Sequence, residues 1–129
     1  MKANILLIED NEQNRYLATF LLESYGYVVI SANDGPQGIE QARLLLPQLI
    51  LLDIQLPSMD GYAVARALRT YPVLGEIPIV AVTSYAMPGD RDKALAAGCN
   101  GYIEKPINPD TFVSEIERYL PHPKKGGNS

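Results

Sequence analysis

The 129-residue sequence has little of what most metal and nucleophile chemistry uses: one cysteine, Cys99, one histidine, His122, and no tryptophan. A lone cysteine closes no internal disulfide, so the fold rests on its core, and a reducing, cytoplasmic setting is expected. Zinc sites draw on groups of Cys and His that are missing here. His122 stands between Pro121 and Pro123 in a stretch, residues 121–129, whose Pro, Lys, Gly and Ser content suggests a disordered tail. That placement makes it neither a phosphodonor nor a metal ligand. Positive charge is also scarce. Eleven Lys and Arg against 15 Asp and Glu leave a net charge of −4 and a pI near 4.9, a field that repels phosphate backbones. Lys124-Lys125 is too short for a basic patch and the eight tyrosines form no ladder for bases, so no nucleic-acid partner is expected. Long hydrophobic runs are absent. The most apolar stretch, Leu44 to Leu52, is broken by Pro47 and Gln48 and closed by Arg43 and Asp53, far short of the roughly 20 residues of a membrane span. The first apolar run, Ile5 to Ile8, meets Glu9 and Asp10 at once, so no leader is expected.

What remains is ordinary for a globular protein: 47% hydrophobic and 20% charged residues. One domain over residues 1–120 is expected. Short apolar runs recur at Ile5 to Ile8, Val28 to Ile30, Leu49 to Leu52, Ile79 to Val82 and, more weakly, Tyr102 to Ile103. Continuous rather than alternating, they read as strands buried on both faces. Between them lie segments with apolar residues three and four apart, such as Leu17, Phe20 and Leu21, or Phe112, Ile116, Tyr119 and Leu120. These carry the helical period. Asp34-Gly35-Pro36 and Asn108-Pro109 place a capping residue beside a first-turn Pro, while Gly98 and Pro121 follow helix ends. The alternation is (βα) five times, which requires a five-stranded parallel sheet with helices on both faces. In such sheets chemistry collects at the carboxyl ends of the strands.

The residues at those ends are Glu9 and Asp10 after the first strand, Asp53 at the third, Thr83 and Ser84 at the fourth, and Lys105-Pro106 after the fifth. Three carboxylates in a small space repel one another, and a hard cation relieves that repulsion. Oxygen ligands without His or Cys favour Mg²⁺, which commonly keeps a place for a phosphoryl oxygen. Lys105 offers a compact positive charge and Thr83 a hydrogen-bond donor for the other phosphoryl oxygens. Asp53 is then placed to attack phosphorus and become an aspartyl phosphate.

Four ordered motifs carry a family resemblance. They are Ile8-Glu9-Asp10-Asn11, Leu52 to Gly61 (LDIQLPSMDG), Val82-Thr83-Ser84, and Gly101 to Pro106 (GYIEKP), with 30 residues from Asp53 to Thr83 and 22 from Thr83 to Lys105. Over residues 3 to 120 the chain resembles the receiver domain of two-component response regulators, the CheY-like type. The resemblance implies a flavodoxin-like α/β fold with strand order 2-1-3-4-5. It also implies Asp53 as phosphoacceptor, with Glu9, Asp10, Asp53 and the Gln55 carbonyl around Mg²⁺. Thr83 and Tyr102 match the family's switch pair, and Lys105 its phosphate-binding lysine, with a cis bond to Pro106. Ala86 to Asp90 and the Met59-Asp60-Gly61 turn look most like stand-alone cell-cycle receivers and the receivers of hybrid histidine kinases.

The leading expectation is a single-domain response regulator, a signalling switch and not a turnover enzyme. A sensor histidine kinase or histidine phosphotransfer protein donates to Asp53, Thr83 moves inward, and Tyr102 follows. A face made of the fourth helix, fifth strand and fifth helix then changes its affinity for an effector protein, with the chain a monomer or a weak phosphorylation-dependent dimer. No DNA-binding output domain is expected. A receiver excised from a hybrid histidine kinase is an alternative. An aspartyl-phosphate phosphatase is disfavoured because the acid/base Asp two residues after its nucleophile is here Gln55. A flavin module is disfavoured because Glu9-Asp10 would repel a phosphate in the first loop. Tyr85 beside the rim is expected to slow hydrolysis of the acyl phosphate, and Cys99 to act as a small buried hydrophobe.

Overall fold

The structure is a computed structural model and describes residues 3–57, 59–84 and 87–120. The expected tail, 121–129, and Tyr85 lie outside these residues. Five strands, β1 (Asn4–Ile8), β2 (Val28–Ala32), β3 (Leu49–Asp53), β4 (Ile79–Thr83) and β5 (Gly101–Glu104), form one parallel sheet in the order β2-β1-β3-β4-β5. Helices α1 (Glu12–Ser24), α2 (Gly35–Leu45), α3 (Gly61–Arg69), α4 (Asp90–Ala96) and α5 (Phe112–Glu117) connect and follow them, with a 3-10 turn at Pro72–Leu74. This is the flavodoxin-like (βα)5 arrangement.

Side chains alternate across each strand, so the continuous apolar runs supply two cores at once. Leu6, Ile8, Ile50, Leu52, Ile79 and Ala81 face one side and pack with residues of α2, α3 and α4. Ile5, Leu7, Leu49, Leu51, Val80 and Val82 face the other and pack with α1 and α5. Every residue of β3 and β4 is buried. The edge strands differ from the expectation of two-sided burial: Val28 is 45% exposed, and Glu104 also meets solvent. With one neighbour each, β2 and β5 cannot be covered as the central strands are.

Helix ends follow local chemistry. Asn11, Asp34 and Asp60 each accept a hydrogen bond from the amide three residues on, at 2.9, 2.8 and 2.8 Å. Gly98, at φ 109°, closes α4, with its amide on Leu95 O and that of Cys99 on Ala94 O. Two further sequence expectations need correction. The buried residues of α1 are Ala18 and Leu22, while Phe20 is exposed and stacks on Tyr16. Ala18 and Leu22, four residues apart, lie on one face of the helix, and Phe20, two residues from each, falls on the opposite face. Asn108-Pro109 opens a turn, with Asn108 Oδ1 accepting from Asp110 N, and α5 begins only at Phe112.

Candidate functional site

The parallel register brings the strand ends to one rim: Ile8 pairs with Leu52, Asp53 with Val82, and Thr83 with Glu104. Among the described residues, the buried polar side chains are Glu9, Asp53 and Thr83, at 4%, 3% and 2% exposure, and all three sit on that rim. Burying polar groups is costly unless they are paired, so their collection in one place marks the site. Lys105 supplies pairing. Its Nζ lies 3.0 Å from Glu9 Oε1 and 3.4 Å from Asp53 Oδ1, and its bond to Pro106 is cis.

Carboxylate oxygens of Glu9, Asp10 and Asp53 lie within 4.8 Å of one another, with Asp10 the exposed member. Backbone contacts hold them in place. Glu9 N donates to Ala32 O across the β1–β2 edge, Asn11 N donates to Glu9 Oε2, and Arg15 Nη1 donates to Glu9 O. Asp53 Oδ1 accepts from Gln55 N at 3.0 Å. Burial pushes the Glu9 carboxyl up to about 7, helped by its hydrogen bond and repulsion with Asp53 and opposed by Lys105. An all-oxygen donor set under mutual repulsion fits a hard divalent cation such as Mg²⁺.

That raised value gives a pH prediction. The unfolded Glu9 titrates near 4.5 and the folded one near 7, so its contribution is fully present below 4.5 and is lost as pH rises to 7. Without metal, Tm is expected to fall across that window. Because the proton and the cation compete for the same oxygens, Mg²⁺ affinity is expected to be about tenfold higher at pH 8 than at pH 6. Titration calorimetry at both values checks this, and a flat profile would contradict it.

Gly61 holds the loop after Asp53 against the strand end: its amide donates to Ile54 O, and a Cβ there would meet Ile54 Cα at 2.6 Å and Asp53 O at 2.7 Å. Backbone atoms cannot turn aside as a side chain does. Gly61→Ala is expected to cost on the order of 2 kcal/mol in urea unfolding and to displace Asp53.

Tyr102, on β5, is half-buried against the α3–α4 side of the core. Burial and the nearby carboxylates of Asp90 and Glu104 push its phenol above the usual range. Beside it, a groove of about 450 Å³ is lined by Arg91, Tyr102, Glu104, Glu115, Arg118 and Tyr119. The site residues singled out in the sequence, Glu9, Asp10, Asp53, Gln55, Thr83 and Lys105, thus meet at one rim, with Tyr102 further back along β5. The unanticipated contact is made by the Gln55 side chain, whose Nε2 donates to Thr83 Oγ1 at 2.6 Å while Oε1 accepts from Ser84 N at 3.2 Å. Nothing in the sequence marks that contact or the Arg15 guanidinium on Glu9 O, since neither belongs to a chemical motif of its own.

The profile of the response regulator receiver domain matches residues 5–117. The chain belongs to that family. Polar-differentiation response regulator DivK of Brucella anthropi is 40% identical over 120 residues, which cover 93% of this chain and 98% of that protein. Among solved structures, chemotaxis protein CheY4 of Vibrio cholerae superposes with a TM-score of 0.88 at 28% identity, covering 93% of this chain and 100% of the other. The receiver domain of sensor histidine kinase PA1611 from Pseudomonas aeruginosa, which holds a magnesium ion in its active-site cleft, gives 0.85 at 35% identity, covering 92% and 98%. Receiver domains accept phosphoryl groups, bind Mg²⁺ in this cleft and interact with histidine kinases or phosphotransfer proteins. Among the described residues of this receiver, no helix is long and apolar enough to cross a membrane.

Proposed function

We propose that this receiver accepts a phosphoryl group from phosphohistidine onto Asp53 and uses the new charge to change its contacts with an effector protein. The observation that carries the reading is the buried Asp53 carboxylate, held by Lys105 Nζ and Gln55 N beside two further acids. A carboxylate oxygen of Asp53 forms the O–P bond as the P–N bond of phosphohistidine breaks, and the imidazole leaves with its electron pair and takes up a proton. Gln55 N and Lys105 orient the nucleophile, and burial of Asp53 limits its hydration. Lys105 also faces the charge that builds on the transferring oxygens. Glu9, Asp10, Asp53 and the Gln55 carbonyl would hold Mg²⁺, which supplies further positive charge at those oxygens.

The aspartyl phosphate adds a charge of about −2 and acceptors within reach of the β4 end. Thr83 turns toward them, vacating space beside the core that Tyr102 occupies, and the groove around Tyr102 and Tyr119 changes shape. Such coupling is typically about 1–3 kcal/mol, a bias on an existing equilibrium. Output is by protein contact in the cytoplasm; no turnover of a separate substrate is involved, because Gln55 stands where a phosphatase of this chemistry places its acid. The 40% identity to DivK, over 98% of that protein, supports a receiver of the DivK kind. The 35% identity to the PA1611 receiver supports a second reading, a receiver belonging to a hybrid kinase.

The test is intact mass after incubation with acetyl phosphate, with and without Mg²⁺, followed by borohydride reduction and peptide mapping. One Mg²⁺-dependent phosphoryl group, mapped to Asp53, is the expected result. An adduct elsewhere would overturn the assignment.

A further inference from the structure

We infer that the Gln55 carboxamide is a resting-state latch that holds the switch closed until Asp53 is phosphorylated, an inference that rests on the reading above. The carboxamide spans from the loop after β3 to the end of β4 and uses both of its ends. Nε2 donates to Thr83 Oγ1 at 2.6 Å and Oε1 accepts from Ser84 N at 3.2 Å. Thr83 is 2% exposed, so the contact with it lies where hydrogen bonds are least diluted by water. The Gln55 backbone amide also donates to Asp53 Oδ1, at 3.0 Å. One residue therefore touches the phosphoacceptor, the hydroxyl that the new phosphoryl oxygens would recruit and the amide next to it.

A side chain biases a two-state switch only by interacting differently with its two states. In the resting state Gln55 engages the Thr83 hydroxyl and the Ser84 amide together. When Thr83 turns toward phosphoryl oxygens, the Nε2 bond must break, and when Ser84 N follows, Oε1 loses its donor. The two contacts are made in one state and lost in the other, so they favour rest. The latch sets how much of the protein is active before any phosphoryl group arrives. The two ends of the carboxamide, one a donor and one an acceptor, match the two partners as the structure pairs them.

Solution NMR with beryllofluoride as the phosphoryl mimic, in Mg²⁺, tests this. In the wild type the Gln55 side-chain amide signals are expected to show slowed exchange at rest and to shift to solvent-like positions on beryllofluoride binding. In Gln55→Met, of similar size without donors, the unliganded Thr83, Ser84 and Tyr102 signals are expected to lie part-way toward their beryllofluoride-bound positions. Its apparent affinity for the mimic should tighten about five- to fiftyfold. Gln55→Asn, too short to reach both partners, should behave alike. Gln55 signals unchanged by beryllofluoride, or resting signals of both variants at wild-type positions with unchanged affinity, would overturn the latch while leaving the phosphorylation reading intact. A wild type that shows no response to beryllofluoride would instead overturn that reading and the latch with it.

Discussion

Asp53→Asn is expected to abolish phosphoryl uptake, with a loss of more than about a thousandfold in the rate of adduct formation from acetyl phosphate. The amide lacks the negative charge that makes a carboxylate oxygen a nucleophile toward phosphorus, and its own oxygen is a far weaker one, while its size leaves the rim sterically unchanged. Intact mass of the two proteins side by side reads the effect, and an adduct of equal yield on the variant would refute the assignment of Asp53. The substitution has a second consequence at Glu9. Burial is the largest cause of that group's rise to about 7, and its hydrogen bond and repulsion with Asp53 come after. Removing the Asp53 charge should therefore lower the Glu9 value only part of the way, leaving it above the ordinary 4.5. Lys105 keeps its 3.0 Å contact with Glu9 and still pulls that value down. A carbon-detected NMR titration of the Glu9 carboxyl in the metal-free variant distinguishes a partial fall from a complete one.

At the opposite end of the strands, Arg69→Ala is expected to destabilise the protein by about 2–4 kcal/mol, lowering Tm by about 10 °C, without loss of phosphoryl uptake at low temperature. Arg69 ends α3, and its guanidinium reaches five oxygens. Nε donates to Gly98 O, Nη1 to Leu74 O, Gly75 O and Ile77 O, and Nη2 to Asn100 Oδ1, at 2.8 to 3.3 Å. Asn100 Oδ1 in turn accepts from Ile79 N, so the network ties the turn before β4 to the loop before β5. Gly98 is required twice over, by its φ of 109° and because a Cβ there would meet Arg69 Cγ at 2.6 Å. Burial pulls the guanidinium below its usual value, the mark of a cation held by carbonyls without a carboxylate. Arg69→Lys should recover well under half of the loss, since an ammonium cannot reach a fork of five acceptors. Urea unfolding of the three proteins decides it. A wild-type midpoint in Arg69→Lys would refute the need for the fork, and an unchanged midpoint in Arg69→Ala would show that the network contributes nothing net.

The strand runs were legible because parallel strands covered on both faces need apolar residues at every position, and Leu49 to Leu52 and Ile79 to Val82 meet that demand. The edges were less legible. Val28 and Val29 read like Ile79 and Val80, yet Val28 is 45% exposed, because a run of residues does not disclose how many neighbours its strand has. Helical period grouped Leu17, Phe20 and Leu21 on α1, yet of these Leu21 packs against the core while Phe20 is exposed, and the fully buried positions are Ala18 and Leu22.

By itself, the order of residues determined the alternation of strands and helices, and through it the placing of Glu9, Asp53, Thr83 and Lys105 at strand ends. Those are local matters of period, capping and chemical type. Only the tertiary structure decided what those residues do to one another: that Lys105 bridges Glu9 and Asp53, that burial raises Glu9, that Gln55 grips Thr83 and Ser84, and that Arg69 closes the far end. Each of these depends on distances and solvent exclusion between segments tens of residues apart, and desolvation has no value until the sheet has closed around the group.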